Sequence, residues 1–99
     1  MNKEDIKRFA REVITTEVKA VERLTDFVDD RFAEIVSSIM SDDRGRIIVT
    51  GIGKSAIIGM KIVATLNSTG SPAVFMHAAD AIHGDLGIIQ SYDTIICIS

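Results

Sequence analysis

The sequence predicts an α/β fold, the opening of a doubly wound parallel sheet with two helices ahead of it. Three observations carry that reading. Residues 1–46 hold 20 of the 25 charged side chains, so the front of the chain reads as solvated helix and the rest as core. All seven glycines stand at or after position 45, so turns and close backbone approaches belong to the second part. From position 47 onward, short β-branched runs alternate with helical stretches, the pattern of right-handed parallel crossovers.

Taken in order, Ile6, Phe9, Ala10, Val13, Ile14, Glu17, Ala20, Val21 and Leu24 recur at helical spacing and form a largely apolar stripe. Asp29 or Asp30 caps a second helix with Phe32, Ile35, Val36 and Ile39 on its inner face. Residues 1–44 therefore read as helices packing on the domain or on another subunit, the stripe being wide for one side of a small sheet. Ser41 to Gly45 is a turn. Ile47-Ile48-Val49-Thr50 has the β-branched character of a strand covered on both faces. Ser55 to about Thr69 reads as helix, with Ile57, Ile58, Ile62, Val63 and Leu66 as its apolar side and Gly70-Ser71-Pro72 ending it. Ala73 to Met76 is a second strand, residues 78–84 one or two helical turns, and Thr94 to Ile98 a third strand. Three strands leave apolar edges uncovered, so residues 45–99 are expected to be the first half of a domain in a longer protein.

Composition narrows the function classes. Net charge is −3, which offers no attraction to nucleic acid or to an anionic membrane surface. The single cysteine, Cys97, fits a reducing compartment, and no apolar run is long enough to span a bilayer. The charged N-terminus lacks the apolar centre of a signal peptide. These features predict a cytoplasmic protein.

The chemistry is concentrated in GIGKSA, Gly51 to Ala56, which follows the first strand and opens a helix. Glycines such as Gly53 let the backbone approach a ligand, and amide groups of a helix's first turn favour an anion. Lys54 adds a positive charge and Ser55 a hydroxyl. A Walker A loop would need glycine where Ile48 stands. The loose dinucleotide fingerprint would want an acidic residue about 20 positions on, where His77 stands instead. A glycine turn with a solvated lysine is the bland alternative. A phosphorylated metabolite fits the pattern best.

A second polar cluster follows the second strand: His77, then HGDLG from His83 to Gly87, with Asp80 and Asp85. Histidines here can donate to phosphate or sugar hydroxyls, transfer protons, or ligate a metal with help from elsewhere. A ligand-binding rim and a plain polar loop both remain open on spacing alone.

The run from Gly45 to Gly87 resembles the sugar isomerase (SIS) domain, and more closely the KpsF/GutQ group of arabinose-5-phosphate isomerases. The motifs that carry the likeness are GIGKSA, STGSP, His77 and HGDLG, against the group's GxGKSG, STGTP, histidine and HGDLG. Ala56 stands for the group's glycine, Ala78 for its proline and Asp80 for its glutamate. The resemblance implies a flavodoxin-like or Rossmann-like three-layer sandwich. It implies an enzyme interconverting D-arabinose 5-phosphate and D-ribulose 5-phosphate, on the route to the Kdo sugar of lipopolysaccharide and capsules. The alternative is a non-catalytic SIS module that binds a sugar phosphate as a regulator.

Carried over residue by residue, the resemblance makes Lys54 catalytic. It makes Gly53, Ser55, Gly70, Ser71, His77 and His83 substrate-binding, and Ser99 the first serine of a phosphate loop. It gives His77 a zinc ion that inhibits rather than catalyses, and requires no cofactor. It also implies a homo-oligomer, dimer or tetramer. The group's catalytic glutamates and a later histidine lie beyond residue 99, as do paired CBS domains found in many members. The 99-residue stretch alone is therefore expected to show little or no turnover.

Overall fold

The computed structural model describes residues 1–41, 45–82 and 84–99. They form two compact units, Met1–Ser38 and Ile39–Ser99. The division falls after Ser38, and Ile39 packs against the strand core.

In the first unit, helix α1 (Lys3–Arg23) begins where the Asn2 side chain accepts the Asp5 amide at 2.8 Å. Glu4 and Asp5 in its first turn and Arg23 in its last complement the helix dipole. A 3-10 turn over Leu24–Phe27 ends it. Helix α2 (Asp30–Ser41) starts behind Asp29, whose carboxylate accepts the Phe32 amide at 3.0 Å, so Asp29 is the cap. No residue of α1 is buried, and Val13, Ile14, Val18 and Val21 are each more than half exposed. The apolar stripe read from the sequence is an open face.

The second unit runs β1 (Ile47–Gly51), α3 (Lys54–Ser68), β2 (Ala73–His77), α4 (Ala78–Ile82), a 3-10 turn at Asp85–Ile88, and β3 (Thr94–Cys97). The sheet order is β2–β1–β3 and both pairings are parallel. The central strand carries the core: Ile48 and Val49 are fully buried, each worth about 1.5–3 kcal/mol over an exposed position. Ile47, Val49 and Ala73 form one cluster, against which Ile62, Val63 and Leu66 of α3 and Ile96 of β3 pack. α3 comes close to the sheet at Gly59, where a Cβ would stand 3.0 Å from the Phe75 ring and 3.2 Å from Val49. β3 is covered on one side only, with Ile95 and Cys97 exposed on the other.

Two devices fix the amino-terminal edge of the sheet. Asn67, near the end of α3, donates to the Ala73 carbonyl at 3.0 Å and accepts the Ala73 amide at 2.8 Å, tying the start of β2 to the helix. Arg46, just before β1, forms a forked pair with Asp93, just before β3. Its Nε lies 3.1 Å and its Nη2 2.8 Å from the two carboxylate oxygens. Asp93 also accepts the Gln90 amide at 2.7 Å, and Arg46 donates to the Ile88 carbonyl at 2.7 Å. The Asp93 side chain has no exposure to solvent. Hydrogen bonding to Arg46, helped by the Gln90 and Arg46 amides, outweighs that burial and holds the carboxyl at about 2, against 3.8 unperturbed.

A carboxyl that titrates lower in the folded than in the unfolded chain stabilises the fold above its unfolded pKa, and that contribution fades as pH falls through the folded value. Thermal melts of the whole protein should therefore drop between about pH 4 and pH 2. Asp93→Asn should melt lower than the parent at pH 7 and show a flatter acid limb. An unchanged acid limb in that variant would remove Asp93 from the account.

Candidate functional site

The carboxyl ends of the three strands make one rim. β1 ends at Gly51, and Gly53 precedes α3 with φ +61° and ψ −131°, a conformation that glycine alone adopts readily. At Gly51 a Cβ would lie 3.1 Å from the Ser55 carbonyl and 3.2 Å from the Ala56 amide nitrogen. The chain thus folds back closely on itself, and only backbone fits there without displacing a neighbour. No side chain caps the start of α3. The Ala56 amide donates to the Gly53 carbonyl at 3.1 Å, so the Lys54 and Ser55 amides, with the exposed Lys54 and the half-buried Ser55, make the rim's cradle suited to an anion.

His77 ends β2 and is paired in register with Gly51, so it stands beside the glycine loop on one side. On the other side the Ile98 amide donates to the Thr50 carbonyl at 2.9 Å, continuing the β1–β3 ladder and bringing Ser99 level with the loop. The order β2–β1–β3 makes the junction of β1 and β3 a switch point, since the chain leaves β1 toward β2 and returns on its far side. Ligands of doubly wound sheets lie in the crevice at such a point. Gly53, Lys54, Ser55, His77 and Ser99 are accordingly brought to a single edge. His83 lies outside the described residues.

Gly70 and Ser71 are not brought to that edge. They precede β2 and so lie at the opposite end of the sheet, about 16 Å away by the length of the strand. Their geometry is that of a helix stop: Gly70 has φ +92°, and the Ser71 amide donates to the Leu66 carbonyl at 2.9 Å. Within this chain Gly70 and Ser71 end α3 at the opposite end of the sheet from the glycine loop.

The His77 ring has a defined setting. Its Nδ1 accepts the Ala79 amide at 3.1 Å, and the ring meets Phe75 edge-on, 6.3 Å between centroids and 78° between planes. A zinc ion on Nε2 would need the ring proton on Nδ1 and so would break the Ala79 bond. Among the described residues no group of three His, Cys, Asp or Glu side chains could hold a metal. The described residues of this chain do not fit a zinc site. Sequence reading also passed over the Thr50 hydroxyl, which is buried beside Gly51 without a hydrogen-bond partner among the described residues. Nothing in the pattern of a β-branched strand marks that threonine out.

Comparisons with known proteins agree with this fold. The family model for the SIS domain matches residues 39–99. The arabinose 5-phosphate isomerase GutQ of Escherichia coli K12 is 45% identical over 89 residues, covering 90% of this chain and 27% of that protein. The arabinose 5-phosphate isomerase KdsD of Francisella tularensis is 41% identical over 92 residues, covering 91% and 28%. The chain thus spans about a quarter of the length of these curated relatives. Among solved structures, an E. coli CFT073 protein in complex with arabinose 5-phosphate superposes with a TM-score of 0.90 at 38% identity, over all of this chain and 52% of that one.

The cradle's dependence on glycine is open to measurement. Gly53→Ala should cost the whole protein about 1–3 kcal/mol in urea unfolding, because alanine is strained at this φ and ψ. A loss below a few tenths would mean the loop relaxes to another conformation.

Proposed function

Since the chain belongs to the SIS domain family, we propose that the whole protein is an aldose–ketose isomerase interconverting D-arabinose 5-phosphate and D-ribulose 5-phosphate. The observation that carries this reading is the anion cradle of Gly53, Lys54 and Ser55 at the switch point, in a chain 45% identical to an arabinose 5-phosphate isomerase. The cradle holds the anionic ligand, and Ser99, level with it beside β1, opens the phosphate loop that the resemblance implies. The reaction moves a proton between C2 and C1 of the open-chain sugar through an enediol, so it needs a base and a group that steadies the developing oxyanion. Lys54 supplies the electrostatic part and assists ring opening. The base belongs to the part of the protein outside this chain.

Aldose and ketose are isomers, so no electron acceptor is consumed, and the proposal includes no required cofactor. The product feeds, or is drawn from, a route to the Kdo sugar. A phosphorylated substrate, retained inside the cell by its charge, and a single cysteine support a cytoplasmic setting. No helix among the described residues is long and apolar enough to cross a membrane. The open stripe of α1 supports a homo-oligomer, with Val13, Ile14, Val18 and Val21 buried between copies.

The deciding experiment incubates the whole protein with D-arabinose 5-phosphate in heavy water and follows the sugar by proton NMR. Ribulose 5-phosphate should form, with deuterium entering at C2 on reversal, and Lys54→Ala should lower kcat by about 10²–10³-fold. Binding without conversion or exchange would replace the isomerase with a sugar-phosphate sensor. For the oligomer, Val13→Glu combined with Val18→Glu should shift the whole protein to a smaller species in sedimentation. An unchanged sedimentation coefficient would take α1 out of the interface.

A further inference from the structure

We propose that Arg46, at the amino end of the sheet, is a positioning residue for the rim at the other end. Its guanidinium holds the foot of the β2–β3 connection, residues 78–93, whose other end starts at the rim. This rests on the sugar-phosphate reading of the rim. The connection leaves the rim at Ala78, directly after His77, and is fastened there by the Ala79 amide, which donates to the His77 ring at 3.1 Å. α4 and the 3-10 turn at Asp85–Ile88 pack on each other, so a shift of one carries the other. The chain then returns to the foot of β3.

Burial does little to fix this segment. Leu86 is 58% exposed and Ile88 39%, and Gly84, Gly87 and Gln90 are exposed too. The Gly87 amide donates to the Gly84 carbonyl at 3.3 Å and the Ile89 amide to the Leu86 carbonyl at 3.1 Å, bonds that shape the turns without tying them to the sheet. A segment with little buried surface takes its place from the points that fasten it. At the foot that point is Arg46. Nε and Nη2 fork onto the two Asp93 oxygens at 3.1 and 2.8 Å, and the same Nη2 donates to the Ile88 carbonyl at 2.7 Å. One planar group thus fixes the end of the 3-10 turn relative to the entry of β3. Asp93 accepts the Gln90 amide at 2.7 Å, and the Arg46 carbonyl accepts the Thr94 amide at 2.9 Å, which completes the frame. Lysine at this position would keep the charge opposite Asp93 and the backbone bonds. It would lose the rigid fork that aims a further hydrogen at Ile88.

The test compares Arg46→Lys with Val63→Ala in the whole protein, well below their melting temperatures. Val63→Ala thins the core under α3 and leaves the bonds of the connection in place, so it controls for lost stability alone. In Arg46→Lys, hydrogen exchange at the Gly87, Ile89 and Gln90 amides should quicken about tenfold, with α3 unchanged. KM for D-arabinose 5-phosphate should rise about fivefold with kcat within about twofold of the parent, since Lys54 is untouched. Val63→Ala should melt lower and keep the parent's KM. A parent-like KM in Arg46→Lys, or an equal rise in both variants, would overturn the positioning role. So would faster exchange spread evenly over the sheet. Coupling is reciprocal, so a second measurement needs no variant. Saturating D-arabinose 5-phosphate should slow exchange of the Ile89 and Gln90 amides in the parent protein, and unchanged exchange there would also overturn the proposal. If the parent binds no sugar phosphate, the proposed function fails, and the role of Arg46 toward that ligand fails with it. Exchange in Arg46→Lys still decides whether Arg46 holds the connection.

Discussion

The rim depends on how closely the first turn of α3 can approach the end of β1. At Gly51 the gap to the Ser55 carbonyl and the Ala56 amide leaves no room for a side chain, and the atoms that would be struck are backbone. A flexible side chain can yield by a few tenths of an ångström, whereas a hydrogen-bonded helical turn cannot do so without moving the helix. Gly53 then reverses the chain through a φ and ψ that a Cβ would strain. With the turn seated this way, the uncapped amides, Lys54 and Ser55 share one mouth. Set farther out, the same residues would be a lysine and a serine on an exposed helix.

The two ends of the sheet divide the work. At the carboxyl ends the start of α3 has no side-chain cap, and the Thr50 hydroxyl has no partner among the described residues. The amino ends are where the chain is pinned. Arg46 and Asp93 clamp the entries of β1 and β3, Gly70 stops α3, and Asn67 fastens the entry of β2. Separating the ends leaves the rim's groups available for a ligand, because the fold does not draw on them for its own cohesion. His77 belongs to both, since it ends β2 beside Gly51 while its Nδ1 accepts the Ala79 amide at 3.1 Å.

The order of elements was legible because each part of the chain carries its own periodicity. Helical spacing marked α1, α2 and α3, β-branched runs marked the strands, and glycine marked the loop after β1. The strand order was not legible, since it depends on which strand edge each hydrophobic run meets. The anion loop could be read from GIGKSA because glycine and lysine have few other reasons to stand together before a helix. For Gly70 and Ser71 the sequence shows a helix stop, and topology shows that they stand at the opposite end of the sheet from the glycine loop. The Arg46–Asp93 fork was invisible because its partners stand 47 positions apart and are brought together only by the parallel pairing of β1 with β3.

The double hydrogen bond from Asn67 to Ala73 also sets the phase of β2. Side chains alternate between the two faces of a strand, so a shift of one residue would exchange every face. With Ala73 held to α3, Ala73 and Phe75 turn toward the helix side, and His77 follows on the same alternation. Let β2 slip by one position, and Met76 would take the place across from Gly51 that His77 holds, with no change in the composition of the rim's loops. An amide near the foot of the sheet thus acts as the strand's timing mark, deciding which residue arrives at the top.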